Sequence, residues 1–175
     1  GGIVSLNSKF LECYKESEKF ISKIKTSNEE FHVTSKKIIF ATGLHSKITA
    51  AKTPIHGCDE IREMNYSKGH YYKLSGKPPF KHLIYPMPTK FGLGVHSGFD
   101  IDGSVRFGPD TLAVKDIEYS FSSNTKNKFI KAIREYWPEL NPEKLNEDYV
   151  GVRPKIQRND ESFCDFSILT SKEHG

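Results

Sequence analysis

Two side chains in this 175-residue sequence could act directly on a small carboxylate ligand. Arg153 follows an apolar strand-like run and precedes Pro154, so its guanidinium could enter a pocket and hold a carboxylate with two parallel hydrogen bonds. His96 could serve as a general base near neutral pH. Each also has a structural interpretation, since an ion-paired surface arginine and a hydrogen-bonded core histidine are both common.

Tyr71, Tyr72 and Tyr85 could present hydroxyl groups to a ligand, although tyrosines in strands usually serve packing. Neither a G-x-G-x-x-G nor a Walker pattern occurs in the sequence, so independent nucleotide binding through those loops is not expected.

The element that positions His96 is a predicted hairpin from Gly94 to Phe107. Asp102-Gly103 predicts a two-residue type I′ turn, which pairs Ile101 with Ser104. In that register a single face of the hairpin carries the following residues: His96, Gly98, Asp100, Val105 and Phe107.

The other predicted elements follow from periodicity and turn residues. Short alternating stretches between Ile3 and Val33 predict a meander, and the apolar run Ile38–Ala41 predicts a strand buried in a parallel sheet. A helix is expected after the caps Ser122, Ser123 and Asn124. The apolar positions of this helix are Phe129, Ile130, Ile133 and Trp137. After it we expect a short turn at Asn141-Pro142 and strands over 149–154 and 163–169.

Composition limits the function classes. The 26 Lys and Arg residues exceed the 22 Asp and Glu residues, but they are scattered, which argues against a nucleic-acid partner. No apolar stretch has the length of a membrane span and no signal peptide is visible, so we expect a cytoplasmic protein. Cys13, Cys58 and Cys164 lack C-x-x-C spacing and predict neither disulfide nor metal site.

The chain begins Gly1-Gly2-Ile3-Val4 without an initiator methionine and ends shortly after a strand-like run. We therefore expect it to be a piece of a longer protein.

The order of several motifs resembles one known family. The run Ile38–Ser46, then Lys68–Tyr72 and Leu83–Pro88, are similar to the FAD-dependent oxidoreductases of the D-amino acid oxidase type. The segments 93–96, 102–105 and 107–110 resemble the L-2-hydroxyglutarate dehydrogenase (oxidase) branch, and 151–154 resembles the arginine strand of the wider family.

The resemblance implies FAD as cofactor and a small carboxylate as substrate. It implies Arg153 as the partner of the substrate carboxylate, Thr42 and Gly43 along the cofactor, and His96 near the flavin as the base in hydride transfer. Tyr71, Tyr72 and Tyr85 stay candidates for lining the ligand. In the family a glycine-rich N-terminal loop holds the FAD pyrophosphate; this sequence lacks that loop, so the chain alone is not expected to retain FAD.

We therefore expect an α+β fold: a mixed or antiparallel substrate-domain sheet with covering helices, plus a remnant of an FAD-binding α/β domain. The expected divisions are 1–53 for the partial FAD-binding domain, 54–150 for the substrate domain, and 151–175 for strands returning toward the FAD domain.

The expected function is part of an enzyme that oxidises a small 2-hydroxy acid, L-2-hydroxyglutarate first, to the 2-oxo acid. One alternative is an amino acid or glycine oxidase of the same fold. Another is a non-catalytic fragment of a split or decayed gene, inactive by itself or served by a second chain that carries the glycine-rich loop.

Overall fold

The computed structural model describes residues 2–53, 63–87, 94–156 and 164–168. The chain divides into two compact units, residues 1–64 with 156–175, and residues 65–155. The elements in these ranges are β1 (Lys9–Glu16), β2 (Lys19–Lys25), β3 (Glu30–Ser35), α1 (Ser46–Ala51), β4 (Asn65–Leu74), β5 (Ser97–Phe99), β6 (Val105–Phe107), β7 (Leu112–Val114), α2 (Thr125–Arg134) and β8 (Leu145–Lys155).

The first unit contains a three-stranded antiparallel sheet in the order β1-β2-β3. The meander prediction is confirmed for these three strands. It is wrong for residues 3–6, which form no strand, and Ile3 is fully exposed. An apolar run becomes a strand only where a neighbouring strand pairs with its backbone hydrogen-bonding groups. The described residues provide no such strand beside residues 3–6.

The prediction of a buried parallel strand over Ile38–Ala41 is also wrong. These residues form no strand, and the side chain of Ile39 is 88% exposed. Phe40 makes an edge contact with Phe10, with ring centroids 5.5 Å apart. A short 3-10 turn over Gly43–His45 leads from this segment into α1.

The second unit is built around β4, and every strand pair in it is antiparallel. β8 runs along one side of β4 over its whole length, while β6 and β7 share the other side and β5 lies outside β6. Burial alternates along β4, which separates the sheet into two faces.

One face, which we call the helix face, packs against α2. Its core joins Tyr72, Leu74 and Phe107 of the sheet to Phe129 and Ile133 of the helix. The opposite face, which we call the tyrosine face, follows from the strand register and carries these residues: Tyr71, Lys73, Gly98, Arg106, Tyr149, Gly151 and Arg153.

The predicted helix is confirmed over Thr125–Arg134, with Phe129 and Ile133 buried. The proposed side-chain cap is not: Asn124 has a φ of 62° and makes no capping hydrogen bond. The Thr125 hydroxyl donates to the Ser122 carbonyl at 2.7 Å instead. The short turn at Asn141-Pro142 is confirmed, since the Asn141 side chain accepts from the Glu143 N–H at 3.0 Å.

The predicted hairpin forms, but its turn is longer than expected. The Asp100 N–H donates to the Ser104 carbonyl at 2.9 Å, which leaves residues 101–103 as a three-residue loop. Gly103 has a φ of +77°, a left-handed conformation that glycine adopts without steric cost.

The longer turn changes the register by one residue. Gly98 pairs with Arg106, and Phe99 pairs with Val105, so the predicted pairing of Ile101 with Ser104 is wrong. Val105 and Phe107 therefore face the core, and Arg106 takes their predicted place on the face of His96.

The predicted α+β class with antiparallel sheets and covering helices is confirmed. β8 is longer than predicted and runs unbroken across the predicted boundary at 150/151; the three-part division stays a prediction. Residues 164–168 form no strand, and the predicted ends Phe163 and Leu169 lie outside the described residues. In the described ranges no helix is long and apolar enough to cross a membrane.

Candidate functional site

The tyrosine face holds a cavity of about 160 Å³ that brings together side chains from four strands and their connections. Its walls are Tyr71, His96, Gly98, Phe99, Asp100, Arg106, Gly108 and Tyr149. A larger groove of about 430 Å³ lies beside the end of β4, but none of the predicted site residues lines it. We therefore take the smaller cavity as the candidate site.

His96 lies just before β5, and its backbone is fixed by the Gly108 N–H, which donates to the His96 carbonyl at 3.0 Å. Its Nδ1 lies 3.3 Å from the Gly94 carbonyl oxygen. A carbonyl only accepts hydrogen bonds, so this contact makes Nδ1 a donor; in the neutral ring the lone pair is then on Nε2. The imidazole stacks on Tyr85, with ring centroids 4.4 Å apart and planes 12° apart. A neutral histidine in this tautomer can accept a proton at Nε2.

Tyr71 and Tyr149 form a second aromatic pair on the same face. They are cross-strand partners of β4 and β8, and their rings stack with centroids 4.4 Å apart and planes 9° apart. Burial, together with a hydrogen bond to Tyr149, raises the pKa of Tyr71 to about 12. Tyr71 therefore keeps its hydroxyl proton throughout the neutral range and can donate it in a hydrogen bond.

The three predicted tyrosines have different surroundings. Tyr71 lines the cavity, and Tyr85 stacks on the cavity residue His96 while its own side chain is 53% exposed. Tyr72 points to the helix face, where it is fully buried and its hydroxyl lies 3.1 Å from Thr125 Oγ1. The alternation along β4 places Tyr72 apart from Tyr71.

Arg106 was not predicted as a site residue. Its Nη1 lies 2.7 Å from Asp100 Oδ1, its Nε donates to Asp148 Oδ2, and its guanidinium carbon lies 4.8 Å from the centroid of the Tyr149 ring. Burial lowers the pKa of Arg106, but the hydrogen bond to Asp148 and the negative charges outweigh it and raise that pKa.

A local signal for Arg106 exists in the sequence. An arginine between Val105 and Phe107 in a strand must point away from the face on which both apolar neighbours are buried. The assumed two-residue turn hid this signal, because it placed Val105 and Phe107 on the face of His96. Asp148 gives no such signal, since it is the extra residue of an irregularity in the pairing of β8 with β4.

Arg153 lies on the tyrosine face, opposite Ser67, and is exposed. It does not line the cavity: four residues along β8 separate it from Tyr149, which corresponds to about 13 Å. Among the residues that the structure describes, no carboxylate lies within ion-pair distance of Arg153. Its guanidinium therefore forms no ion pair with any of those carboxylates.

Thr42 and Gly43 belong to the first unit. The Thr42 carbonyl accepts from the His45 N–H at 3.0 Å, and Gly43 has a φ of +54° at the start of the 3-10 turn. A Cβ at Gly43 would meet no atom within 4 Å. In the described ranges, no three His, Cys, Asp or Glu residues are grouped as metal ligands.

Comparison with known proteins agrees with the resemblance in the sequence. The pattern of the DAO family, "FAD dependent oxidoreductase", matches residues 1–170. The mitochondrial L-2-hydroxyglutarate dehydrogenase of Arabidopsis thaliana is 29% identical over 97% of this chain. The chain spans 38% of the length of that relative.

Solved structures show the same fold. The L-alpha-glycerophosphate oxidase of Mycoplasma pneumoniae, with FAD bound, has a TM-score of 0.68 at 21% identity and covers 84% of this chain and 38% of its own. The FAD complex of glycerol-3-phosphate dehydrogenase from Bacillus halodurans has a TM-score of 0.66 at 15% identity, over 85% and 31% of the two chains. Glycine oxidase from Geobacillus kaustophilus has a TM-score of 0.62 at 10% identity, over 85% and 36%.

The family pattern extends over nearly the whole chain, and the fold of these flavoproteins accompanies it. The chain belongs to the family of FAD-dependent oxidoreductases.

Proposed function

We propose that this chain is part of a flavin-dependent enzyme that oxidises a small 2-hydroxy acid, with L-2-hydroxyglutarate as the first substrate to test, to the corresponding 2-oxo acid. The observation that carries the proposal is His96, which lines a tyrosine-walled cavity and contacts the Gly94 carbonyl through Nδ1. The sequence similarity to an L-2-hydroxyglutarate dehydrogenase supports the choice of substrate.

Aromatic rings form one side of the cavity, and a flat ring system can pack against such a surface. Its walls include the aromatic rings of Tyr71, Tyr149 and His96, and a Cβ placed on Gly98 would find only the Arg106 carbonyl oxygen, at 4.0 Å. We propose that these residues face the isoalloxazine ring. Thr42 and Gly43 are proposed as cofactor contacts on the resemblance in sequence alone. When bound, the flavin supplies the acceptor for the two electrons that leave the substrate carbon.

The chain's own residues account for the remaining requirements of the reaction. His96 Nε2 takes the proton of the substrate hydroxyl, which becomes the carbonyl oxygen of the product. The Tyr71 hydroxyl forms part of the cavity wall that contacts the substrate. Arg153 lies outside the cavity on the same face and is exposed; we propose it as the partner of the carboxylate on the resemblance in sequence.

The activity test adds excess FAD and then L-2-hydroxyglutarate to the purified chain without oxygen, and follows the visible absorbance of the flavin. Bleaching is the expected result for a site that works when flavin is supplied in excess. Glycine and L-glutamate, added in parallel, test the alternative of an amino acid oxidase: bleaching by an amine alone would contradict the hydroxy-acid proposal.

A binding test needs no flavin. Isotope-labelled chain is titrated with L-2-hydroxyglutarate and followed by NMR, and Arg153→Ala is expected to weaken binding at least tenfold because it removes a charge-assisted bidentate pair. Lys155→Ala, two residues along β8, is the matched control and should bind as the wild type does. Equal affinity of Arg153→Ala and wild type contradicts the carboxylate role.

The two tests together separate the remaining possibility. Substrate binding without bleaching supports a fragment that depends on a second chain with a glycine-rich FAD-binding loop. Neither binding nor bleaching supports a non-catalytic fragment and contradicts the proposed function.

A further inference from the structure

Arg106 connects three separate segments on the tyrosine face. Its guanidinium contacts Asp100 at the end of β5 and Asp148 on β8, and it also lies 4.8 Å from the ring centroid of Tyr149. Tyr149 in turn stacks on Tyr71 of β4. All five side chains line the candidate cavity or contact a residue that does.

Arg106 is poorly suited to bind a substrate carboxylate. Its charge is already compensated by Asp100 and Asp148, and the second nearby cation, Lys73, is shared between Asp100 at 3.6 Å and Asp102 at 3.3 Å. Two cations therefore face three carboxylates. An incoming carboxylate at Arg106 would approach Asp100 and Asp148 as well, and like charges at this range repel.

The ion pairs of Arg106 with Asp100 and Asp148 are partly buried, which strengthens them and restrains the position of the guanidinium. The side chains of Arg106, Asp100 and Asp148 are only 27%, 23% and 21% exposed, so their interactions are less screened by water than those of surface pairs. A planar guanidinium can hold two carboxylates in its plane while its face lies against an aromatic ring, which a lysine ammonium cannot do.

We propose that Arg106 is a positioning residue: it fixes Tyr149, and through the ring stack Tyr71, as one wall of the candidate cavity. The role of that wall in substrate binding rests on the proposed function. The positioning itself does not, because it concerns contacts within the chain.

The test uses the full chain without ligand or flavin. Two stacked tyrosine rings give a coupled signal in circular dichroism, and the part of the Tyr149→Leu difference that is absent in a Tyr71→Leu background isolates the contribution of this stack. Arg106→Met, which keeps the length of the side chain and removes its charge, is expected to lose the same signal. The double variant Arg106→Met with Tyr149→Leu should lose nothing more.

Lys73→Met is the matched control, since Lys73 is the neighbouring cation on the same face and pairs with Asp100 but not with Tyr149. It should keep the stack signal. A full stack signal in Arg106→Met overturns the proposal, and so does an equal loss in Lys73→Met.

If Arg106→Met does not fold, Arg106→Lys replaces it. A lysine keeps the positive charge but cannot hold both aspartates beneath the ring, so the stack signal is expected to fall; an unchanged signal overturns the proposal. Failure of the substrate or flavin tests leaves this readout intact, which keeps the two proposals distinguishable.

Discussion

At the scale of single residues, the candidate site depends on which protons its side chains hold. His96 donates from Nδ1 to the Gly94 carbonyl, and Tyr71 keeps its hydroxyl proton because burial raises its pKa to about 12. Burial also raises the pKa values of Tyr72 and Tyr136 in the same unit. In its neutral form His96 can accept a proton at Nε2, whereas the three tyrosines resist losing theirs.

The raised pKa of Tyr71 predicts how stability depends on pH. The folded state holds this proton more tightly than the unfolded state, where the pKa is near 10.0. The stabilising contribution is therefore complete below about pH 10 and is lost as the pH rises toward about 12. Urea unfolding should show a lower free energy of unfolding at about pH 11 than at about pH 8.

Tyr71→Phe should make this loss smaller, because phenylalanine has no proton to release. Tyr14→Phe, at an exposed tyrosine of the first unit, is the control and should follow the wild-type pH dependence. An identical loss in wild type and Tyr71→Phe would show that Tyr71 does not contribute.

At the scale of elements, the segment that follows β6 forms the wall of the site beside His96. At the start of this segment, the Gly108 N–H donates to the His96 carbonyl at 3.0 Å. At its other end, the side chain of Asp110 forms hydrogen bonds with His70 of β4. One oxygen of Asp110 accepts the backbone N–H of His70 at 2.7 Å and lies 2.8 Å from its Nδ1. The buried His70 Nε2 accepts the Ser122 N–H at 3.2 Å, which assigns the His70 proton to Nδ1.

Gly108 permits this close approach. Its φ is +131°, and a Cβ there would lie 2.6 Å from the His70 carbonyl oxygen. Gly108→Ala is therefore expected to lower the free energy of unfolding by more than ~2 kcal/mol, through backbone strain and a contact with rigid backbone. Urea unfolding of the full chain measures the change.

The matched control is Gly103→Ala in the hairpin loop. Gly103 also has a positive φ, +77°, but a Cβ there would meet nothing within 4 Å. It should cost only the conformational strain, about 1–2 kcal/mol. If Gly108→Ala and Gly103→Ala lower the free energy of unfolding equally, the close contact of Gly108 with β4 does not constrain the segment after β6.

At the scale of the whole molecule, the chain comprises two units with separate sheets. The second unit contains the large apolar core and the candidate cavity. The sequence offers no glycine-rich loop that could bind the pyrophosphate of FAD through backbone N–H groups. Under the proposed function the chain supplies residues for the ring side of the cofactor and for the substrate, without this loop for the phosphates.

Because the sequence has no glycine-rich loop for the pyrophosphate, we predict that the chain retains FAD weakly. After incubation with excess FAD and gel filtration, the protein peak should carry no visible flavin absorbance, because ring contacts alone would be made without the phosphate-binding loop. A peak with one FAD per chain would show that other residues replace that loop. Riboflavin, which lacks the phosphates, is the control ligand and is likewise expected to be lost.

The sequence by itself determined the family, the α+β class, the three strands of the first sheet and the helix Thr125–Arg134. The family was recognised from the order of several motifs, whereas the strands and the helix follow from local patterns, since side-chain periodicity and turn residues act within a few positions along the chain. His96 and Tyr71 were also found in this way, and both line the cavity.

Only the tertiary structure decided the strand register and the partners of each face. One additional loop residue at 101–103 moved Arg106 to the side of His96, and pairing with β8 brought Tyr149 and Asp148 to β4 from far along the chain. A strand presents alternate residues to opposite faces, so a shift of one residue exchanges core and site. Pairing partners are selected by the packing of the whole sheet, which no local pattern contains.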